Sequence, residues 1–248
     1  MLKVSIITVC FNSAETIEST IKSVIEQDYS NIEYIVVDGK STDYTLSILE
    51  RYKANISTLL SEKDDGIYYA INKGIALATG DIIAILHADD FYSSNQIISS
   101  VVKIFEGKQS DTVYGDLQYV DRNDTNKVTR HWIAGAFNSD LFYKGWMPPH
   151  PAFFVKRRCY SKFGLFNTDL KSSADYEMML RLLEKHKCST HYIPQVLVKM
   201  RIGGKSNISL MNRIKANRED KKAWQINGLN PGMFTLILKP LSKLGQFF

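Results

Sequence analysis

Short apolar runs rich in β-branched residues alternate with helical patterns through residues 1–107. Four runs have the length and composition of buried strands: KVSIITV (3–9), IEYIVVD (32–38), ISTLLSE (56–62) and DIIAILH (81–87). Three segments between them have the apolar spacing of helices: AETIESTIKSVIEQ (14–27), TLSILERYK (45–53) and IYYAINKGIALA (67–78). Such alternation is typical of βαβ crossovers, so it predicts an α/β fold with a mostly parallel central sheet flanked by helices.

The pattern changes after residue 107. TVYGDLQYV and KVTRHWI predict a hairpin around the DRNDTN turn. MPPHPAFFVKR (147–157) is predicted to be extended, because its three prolines resist helix formation. KSSADYEMMLRLLEKH (171–186) predicts a helix whose first turn contains Asp175. CSTHYIP and VLVKMRI predict two further strands, and a basic helix is expected over 207–226.

The composition, 44% hydrophobic and 23% charged, is that of a globular protein with an ordinary core. The three cysteines are widely spaced and form no CxxC pair, which argues against a disulfide framework or a zinc site and favours a reducing compartment. The apolar N-terminus lacks a small-residue cleavage site, so it is interpreted as a strand and not a signal peptide. No stretch approaches the roughly 20 apolar residues of a spanning helix. We therefore expect a cytoplasmic protein.

The C-terminal part of the chain is basic. Residues 199–248 hold ten Lys or Arg against two acidic residues, and they end in the apolar segment GMFTLILKPLSKLGQFF. Three roles are compatible with this extension: peripheral contact with the inner face of the cell membrane, contact between the subunits of a homodimer, and packing on its own domain. A nucleic acid is not an expected partner, since the basic residues lack a recognised motif or an aromatic platform.

Polar side chains lie at or just beyond the carboxyl end of each of the four predicted strands. They are Thr8, Cys10 and Asn12 for the first, Asp38 for the second, Asp65 for the third, and His87, Asp89 and Asp90 for the fourth. The carboxyl ends of parallel strands meet at one edge of a sheet, where ligands bind. The sequence therefore predicts a ligand crevice there. A turn-forming role remains open for Asp38, and His87 is assigned no role.

Asp89 and Asp90 leave the fourth strand as adjacent carboxylates. Two neighbouring negative charges repel each other, and a cation relieves that repulsion. Mg²⁺ and Mn²⁺ are usually held by one or two carboxylates together with substrate phosphates. The pair therefore predicts a divalent-metal site beside a nucleotide diphosphate. A second interpretation, with Asp90 as a cap of the helix that follows, stays open.

Five stretches of the chain resemble, in order, the inverting glycosyltransferases of family 2, which have the GT-A fold. They are VSIITVCFN, YIVVDGKSTDYT, SEKDDGIYYAINKGIALATGDIIAILHADD, MPPHPAFFVKR and SADYEMMLRLL. Together they extend from residue 4 to about residue 183. The third and fourth stretches are similar to those of bacterial O-antigen, capsule and exopolysaccharide enzymes. The resemblance implies a GT-A catalytic domain over 1–206, with a nucleotide-sugar half (1–107) and an acceptor half (108–206), followed by a helical extension over 207–248.

The resemblance also implies roles for individual residues. The set expected to bind the nucleotide-sugar is Thr8, Cys10, Asn12, Asp38, Asp65, Asn72 and Asp89. Within it, Asp38 is expected on the base and Asp89 on the ribose or sugar, whereas Asn72 is equally compatible with a structural hydrogen-bonding role. Asp90 is the expected direct ligand of Mn²⁺ or Mg²⁺. His150, between two prolines, is a tentative second ligand, with the diphosphate and the acceptor as its other candidate partners.

Asp175 matches the catalytic base of the family, although Ala174 stands where a first acidic residue is common. The expected reaction is the inverting transfer of a sugar from a nucleotide-diphosphate donor, with a UDP-sugar favoured, to a glycan or isoprenoid-diphosphate-linked saccharide. Two alternative functions remain to be compared with this one. A non-catalytic nucleotide-sugar-binding module predicts binding without turnover. A nucleotidyltransferase would need a Gly-rich, basic loop after the first strand, where this chain has CFNSAET.

Overall fold

The structure is a computed structural model that describes residues 1–203 and 210–242. Its strands are β1 (Val4–Cys10), β2 (Ile32–Asp38), β3 (Thr58–Ser61), β4 (Ile82–Ile85), β5 (Asp90–Tyr92), β6 (Thr112–Val120), β7 (Val128–Trp132), β8 (Phe153–Lys156) and β9 (Thr190–Arg201). Its helices are α1 (Ile17–Ile25), α2 (Thr45–Arg51), α3 (Ile67–Leu77), α4 (Ile97–Lys108), α5 (Arg157–Phe163), α6 (Ala174–Met179), α7 (Leu210–Ile226) and α8 (Thr235–Ser242). A π-helix, Leu180–Lys185, continues α6 directly.

The described strands form one mixed sheet in the order β3-β2-β1-β4-β8-β6-β9-β5, and β7 pairs with β6. The first four of these strands are parallel, as predicted. β8 then runs antiparallel to β4 and to β6, and β6 and β9 are parallel. All seven residues of β1 are buried, because helices cover both faces of the sheet. This arrangement confirms the predicted α/β fold and places the carboxyl ends of β1, β2, β3 and β4 at one edge.

Three local predictions differ from the structure. The two strands predicted within 188–202 form one strand, β9 (Thr190–Arg201). This is possible because the β6–β9 register shifts between Gly115 and Asp116 and so leaves Pro194 outside the ladder. The predicted extended segment 147–157 contains a 3₁₀ turn at His150–Ala152 before β8. Asp90 begins a strand, β5, rather than capping a helix.

The C-terminal helices α7 and α8 pack against the domain that precedes them. Trp224 of α7 is fully buried, and its Nε1 donates a hydrogen bond to the Tyr176 hydroxyl at 3.0 Å. Lys239 of α8 forms a buried ion pair with Asp220 at 2.7 Å. None of the helices within 1–203 and 210–242 is long and apolar enough to cross a membrane. Residues 204–209 and 243–248 lie outside the described residues; they include the start (207–209) of the predicted basic helix and the end of the predicted apolar segment.

Gly145 lies directly against the backbone of α8. A Cβ atom there would lie 2.3 Å from the backbone nitrogen of Lys239, and its φ of +80° is itself strained for other residues. Gly135 has a similar φ of +71° but nothing within 4 Å of its Cβ position. We expect Gly145→Ala to lower the free energy of unfolding by about 1–3 kcal/mol more than Gly135→Ala, in urea unfolding. Equal losses would show that α8 does not pack here.

Candidate active site

Hydrogen bonds of Asp38 and Asn12 connect the carboxyl ends of β1, β2 and β3. Asp38 is fully buried, and its carboxylate accepts hydrogen bonds from the backbone nitrogen and the hydroxyl of Ser41 and from the Ser61 hydroxyl at 2.7 Å. Asn12 has a φ of +51° and accepts a hydrogen bond from the Thr42 backbone nitrogen at 2.9 Å. Burial, followed by the nearby Asp38 carboxylate, raises the pKa of Cys10, so this thiol stays neutral.

Several predicted nucleotide ligands have partners within the protein. The Thr8 hydroxyl is fully buried and lies 3.1 Å from the Tyr34 hydroxyl. The Asn72 side chain makes two hydrogen bonds to the backbone of Phe166, at 2.8 and 3.0 Å, and so ties α3 to the segment before α6. Asp65, in contrast, is exposed in the loop before α3. These contacts favour structural roles for Thr8 and Asn72, and the nucleotide assignments stay predictions.

The two aspartates after β4 have different environments. Asp89 is half-buried, and its Oδ1 accepts a hydrogen bond from the Thr16 hydroxyl at 2.8 Å. Asp90 is only 1% exposed. Burial first, and then the neighbouring charge of Asp89, raises the pKa of Asp90 well above the usual range for a carboxyl group. Arg201 opposes this rise, and its guanidinium also donates a hydrogen bond to the Asp89 carbonyl at 3.0 Å.

The aspartate pair fits a divalent cation. Oδ2 of Asp90 is buried and has no hydrogen-bond partner among the described residues, and a cation would satisfy this oxygen and relieve the repulsion between the two carboxylates. No group of three or more His, Cys, Asp or Glu in the described parts of the chain is arranged to hold a metal. The protein would therefore supply one or two carboxylates, which is the usual contribution where substrate phosphates complete the metal's ligands.

Asp175 lies in the first turn of α6, and side chains from two distant segments contact its carboxylate. Oδ1 accepts a hydrogen bond from the Tyr68 hydroxyl at 3.2 Å, and Oδ2 lies 3.3 Å from Nδ1 of His150. Nε2 of His150 lies 3.2 Å from Nε2 of His87. The Asp175 side chain is 17% exposed, so one part of the carboxylate remains open to solvent. The structure thus brings Asp175, His150, His87 and Tyr68 together.

The sequence alone predicts no role for Tyr68 or His87. For His87 a signal was present, since the histidine directly precedes the acidic pair at the strand end. Burial first, and then His150, lowers the pKa of His87 to about 3, so this ring is neutral. Tyr68 gave no signal, because it follows the helical pattern of α3. Both ring nitrogens of His150 face protein groups. This favours a role for His150 other than that of metal ligand.

The C-terminal extension supports the helix that carries Asp175. The Glu219 carboxylate of α7 accepts hydrogen bonds from the backbone nitrogens of three successive residues before α6: Lys171 (3.1 Å), Ser172 (2.7 Å) and Ser173 (3.1 Å). Asn227 donates a hydrogen bond to Glu177 at 3.0 Å. Because these contacts flank Asp175 on both sides in the chain, α7 holds the start of α6 in place.

The fold and the site define the class of protein. A mixed sheet of this order, with an aspartate pair after β4, is the GT-A fold of glycosyltransferases. The family model described as Glycosyl transferase family 2 matches residues 5–167. The chain belongs to glycosyltransferase family 2, and it is an enzyme of the transferase class.

Curated relatives agree with this membership. The PGL/p-HBAD biosynthesis glycosyltransferase of Mycobacterium bovis is 32% identical over 208 residues, which cover 82% of this chain and 78% of that protein. An uncharacterized glycosyltransferase of Haemophilus influenzae is 28% identical over 236 residues, which cover 88% of this chain and 71% of that protein. The similarity therefore extends over most of the chain and includes the segment of Asp175.

Two solved structures share the fold. S. aureus TarS 1–349 in complex with UDP-GlcNAc superposes with a TM-score of 0.70 at 16% identity over 91% of this chain, which spans 65% of the length of TarS 1–349. The mannosyltransferase PcManGT from Pyrobaculum calidifontis, in complex with GDP-Man and Mn²⁺, has a TM-score of 0.68 at 22% identity over 98% of this chain and 70% of that one. At these identities the likeness shows the fold alone.

Proposed function

We propose that this glycosyltransferase transfers a sugar from a nucleotide-diphosphate donor to a saccharide acceptor, with inversion and with Asp175 as the general base. The observation that carries the proposal is the position of the Asp175 carboxylate, which two side chains hold while part of it stays open to solvent. It contacts His150, which in turn contacts His87, two residues before Asp89. The base and the aspartate pair therefore belong to one site.

In the proposed reaction, the acceptor hydroxyl oxygen attacks the anomeric carbon from the face opposite the diphosphate. Its proton goes to a carboxylate oxygen of Asp175 as the new carbon–oxygen bond forms. The bond from the anomeric carbon to the donor's diphosphate oxygen breaks, and its electron pair leaves with the nucleoside diphosphate.

A divalent cation, Mn²⁺ or Mg²⁺, would supply charge stabilisation for the leaving diphosphate when bound. Asp90 is the proposed ligand, because its buried Oδ2 has no hydrogen-bond partner among the described residues. Asp89, which is more exposed, is the alternative ligand. In either case Arg201 lies beside the pair and adds positive charge there.

The donor is proposed to be a UDP-sugar. The solved neighbours do not decide the nucleotide, because TarS carries UDP-GlcNAc and PcManGT carries GDP-Man. A thermal-shift panel of UDP-, GDP- and dTDP-sugars, each with and without Mn²⁺, tests the choice. We expect UDP-sugars to raise the Tm most, and only with Mn²⁺ present. A larger shift with GDP- or dTDP-sugars contradicts the UDP proposal, and equal shifts without Mn²⁺ contradict the metal proposal.

The acceptor is proposed to be a glycan or a lipid-linked saccharide of a bacterial surface polysaccharide such as O-antigen or capsule. The relatives named as PGL/p-HBAD biosynthesis glycosyltransferases support a biosynthetic role. The segment between α7 and α8 supports peripheral contact of a cytoplasmic enzyme with the membrane, since Met233 is 87% and Phe234 62% exposed. A homodimer contact through the same residues is the competing proposal. Flotation with anionic lipid vesicles, compared with the mass in solution, separates the two.

A non-catalytic nucleotide-sugar-binding module, the alternative that the sequence left open, does not agree with membership of a transferase family. The partly exposed Asp175 carboxylate argues against it, because a binding module has no use for an aspartate held in this way. The two proposals differ in one measurement. An enzyme releases the nucleoside diphosphate when donor and acceptor are both present, whereas a binding module only retains the donor.

A further inference from the structure

Asp175 shares a row of contacts with two histidines that the proposed chemistry does not require. Oδ2 of Asp175 lies 3.3 Å from Nδ1 of His150, and Nε2 of His150 lies 3.2 Å from Nε2 of His87. We propose that His150 is a positioning residue that orients the Asp175 carboxylate through its Nδ1–H, and that His87 sets the tautomer of His150. The proposal rests on the proposed function, since it assumes that Asp175 is the base.

The hydrogen-bonding pattern indicates which ring nitrogen of His150 and of His87 carries the hydrogen. An ionised carboxylate only accepts hydrogen bonds, so Nδ1 of His150 carries the hydrogen. A neutral imidazole has one N–H, and Nε2 of His150 is therefore an acceptor, which takes a hydrogen bond from Nε2–H of His87. Nδ1 of His87 is then a lone pair, and it is buried without a hydrogen-bond partner among the described residues. With the opposite tautomers an N–H would be buried there unpaired, which proteins rarely tolerate.

The contacts constrain the carboxylate in two ways. Tyr68 donates to Oδ1 and His150 to Oδ2, so rotation of the carboxylate about its Cβ–Cγ bond would break both contacts. The His150 backbone is itself restrained, because Pro149 and Pro151 flank it and a 3₁₀ turn begins at it. A base held in one plane presents the same lone pair to each acceptor, and such orientation contributes to the rate of the chemical step.

The competing role of His150 is direct ligation of the metal or the diphosphate. That role needs a free lone pair on Nε2, which in this structure faces the Nε2 of His87 at 3.2 Å. The two roles predict different losses on substitution. A positioning residue affects the chemical step and leaves donor and metal affinity unchanged. A metal ligand affects the metal concentration needed for activity.

Three substitutions of His150 separate the contributions of its two nitrogens. The amide nitrogen of Asn occupies about the place of Nδ1, whereas that of Gln reaches the place of Nε2. We expect His150→Ala and His150→Gln to lower kcat by roughly 100-fold, because the carboxylate loses its orientation. His150→Asn is expected to keep kcat within about tenfold of the unsubstituted enzyme. The KM for the donor and the Mn²⁺ concentration for half-maximal activity should change less than about twofold in all three.

The matched control is His191→Asn, because His191 lies near the start of β9, at the end of the sheet away from the site, and should leave kcat unchanged. Donor-induced thermal shifts establish that each variant is folded. In an Asp175→Asn background, His150→Ala should cause no further loss, because the group that it positions is gone. The proposal is overturned if Asn is as damaging as Ala, or if the Mn²⁺ requirement rises instead of kcat falling. Full activity of Asp175→Asn alone would instead refute the proposed function.

Discussion

Asp175→Asn is expected to abolish sugar transfer and to leave donor binding intact. The substitution keeps the size of the side chain and removes the acceptor for the hydroxyl proton, so the attacking oxygen keeps its proton. General bases contribute about 10²- to 10⁴-fold to a rate, and we expect kcat to fall within that range. The measurement is nucleoside diphosphate release in the presence of donor and acceptor, together with the donor-induced shift in Tm.

Asp169→Asn is the matched control for this prediction. Asp169 is an exposed aspartate in the segment that precedes α6, and it lies outside the proposed site. Its substitution should leave both kcat and the donor-induced shift unchanged. Unaltered turnover in Asp175→Asn would contradict the assignment of the base and would favour a different base.

Asp90→Asn is expected to remove the Mn²⁺ dependence of donor binding, because Oδ2 of Asp90 is the buried oxygen that a cation would satisfy. Loss of a side chain that only supports a metal ligand costs about 10- to 100-fold in metal affinity, and loss of the ligand itself should cost at least that. Asp89→Asn is the matched variant, since it neutralises the adjacent carboxylate. We expect it to retain most of the Mn²⁺-dependent shift in Tm, because one oxygen of Asp89 already accepts a hydrogen bond from Thr16.

Titration of Mn²⁺ against each variant, in the presence of a donor, gives the apparent metal affinity. The opposite result, in which Asp89→Asn loses the metal and Asp90→Asn keeps it, would support Asp89 as the ligand. Equal retention in both variants would contradict a metal site at this strand end. The experiment therefore distinguishes the two aspartates and also tests the site as a whole.

The parallel half of the sheet could be predicted because its signals are local. The alternation of apolar strands with amphipathic helices predicted a strand over 32–38, and the structure has β2 at Ile32–Asp38. Strand β9 could not be predicted as one element, since Pro194 interrupts its pattern and only the pairing with β6 carries the strand across the interruption. Pairing between strands distant in the chain leaves no local signal.

The residues of the candidate site also fall into two groups, those predicted from local motifs and those found only through contacts between distant segments. The resemblance to family 2 identified Asp89, Asp90 and Asp175 as acidic residues with roles, because their types and order follow a motif. It did not identify Tyr68 or His87, or the support that Glu219 gives to the start of α6. Residues 68 and 175 are 107 positions apart, so their contact depends on the packing of α3 against the segment before α6.

The sequence by itself determined the class of fold, the family and the residue types that the site contains, since periodicity and motifs are properties of short segments. Only the tertiary structure decided how the two aspartates differ, because burial depends on what β5, β9 and Arg201 place around them. It also decided that Trp224 of α7 packs on α6, and that His150 faces Asp175. Each of these is a contact between segments far apart in the chain, which folding alone brings together.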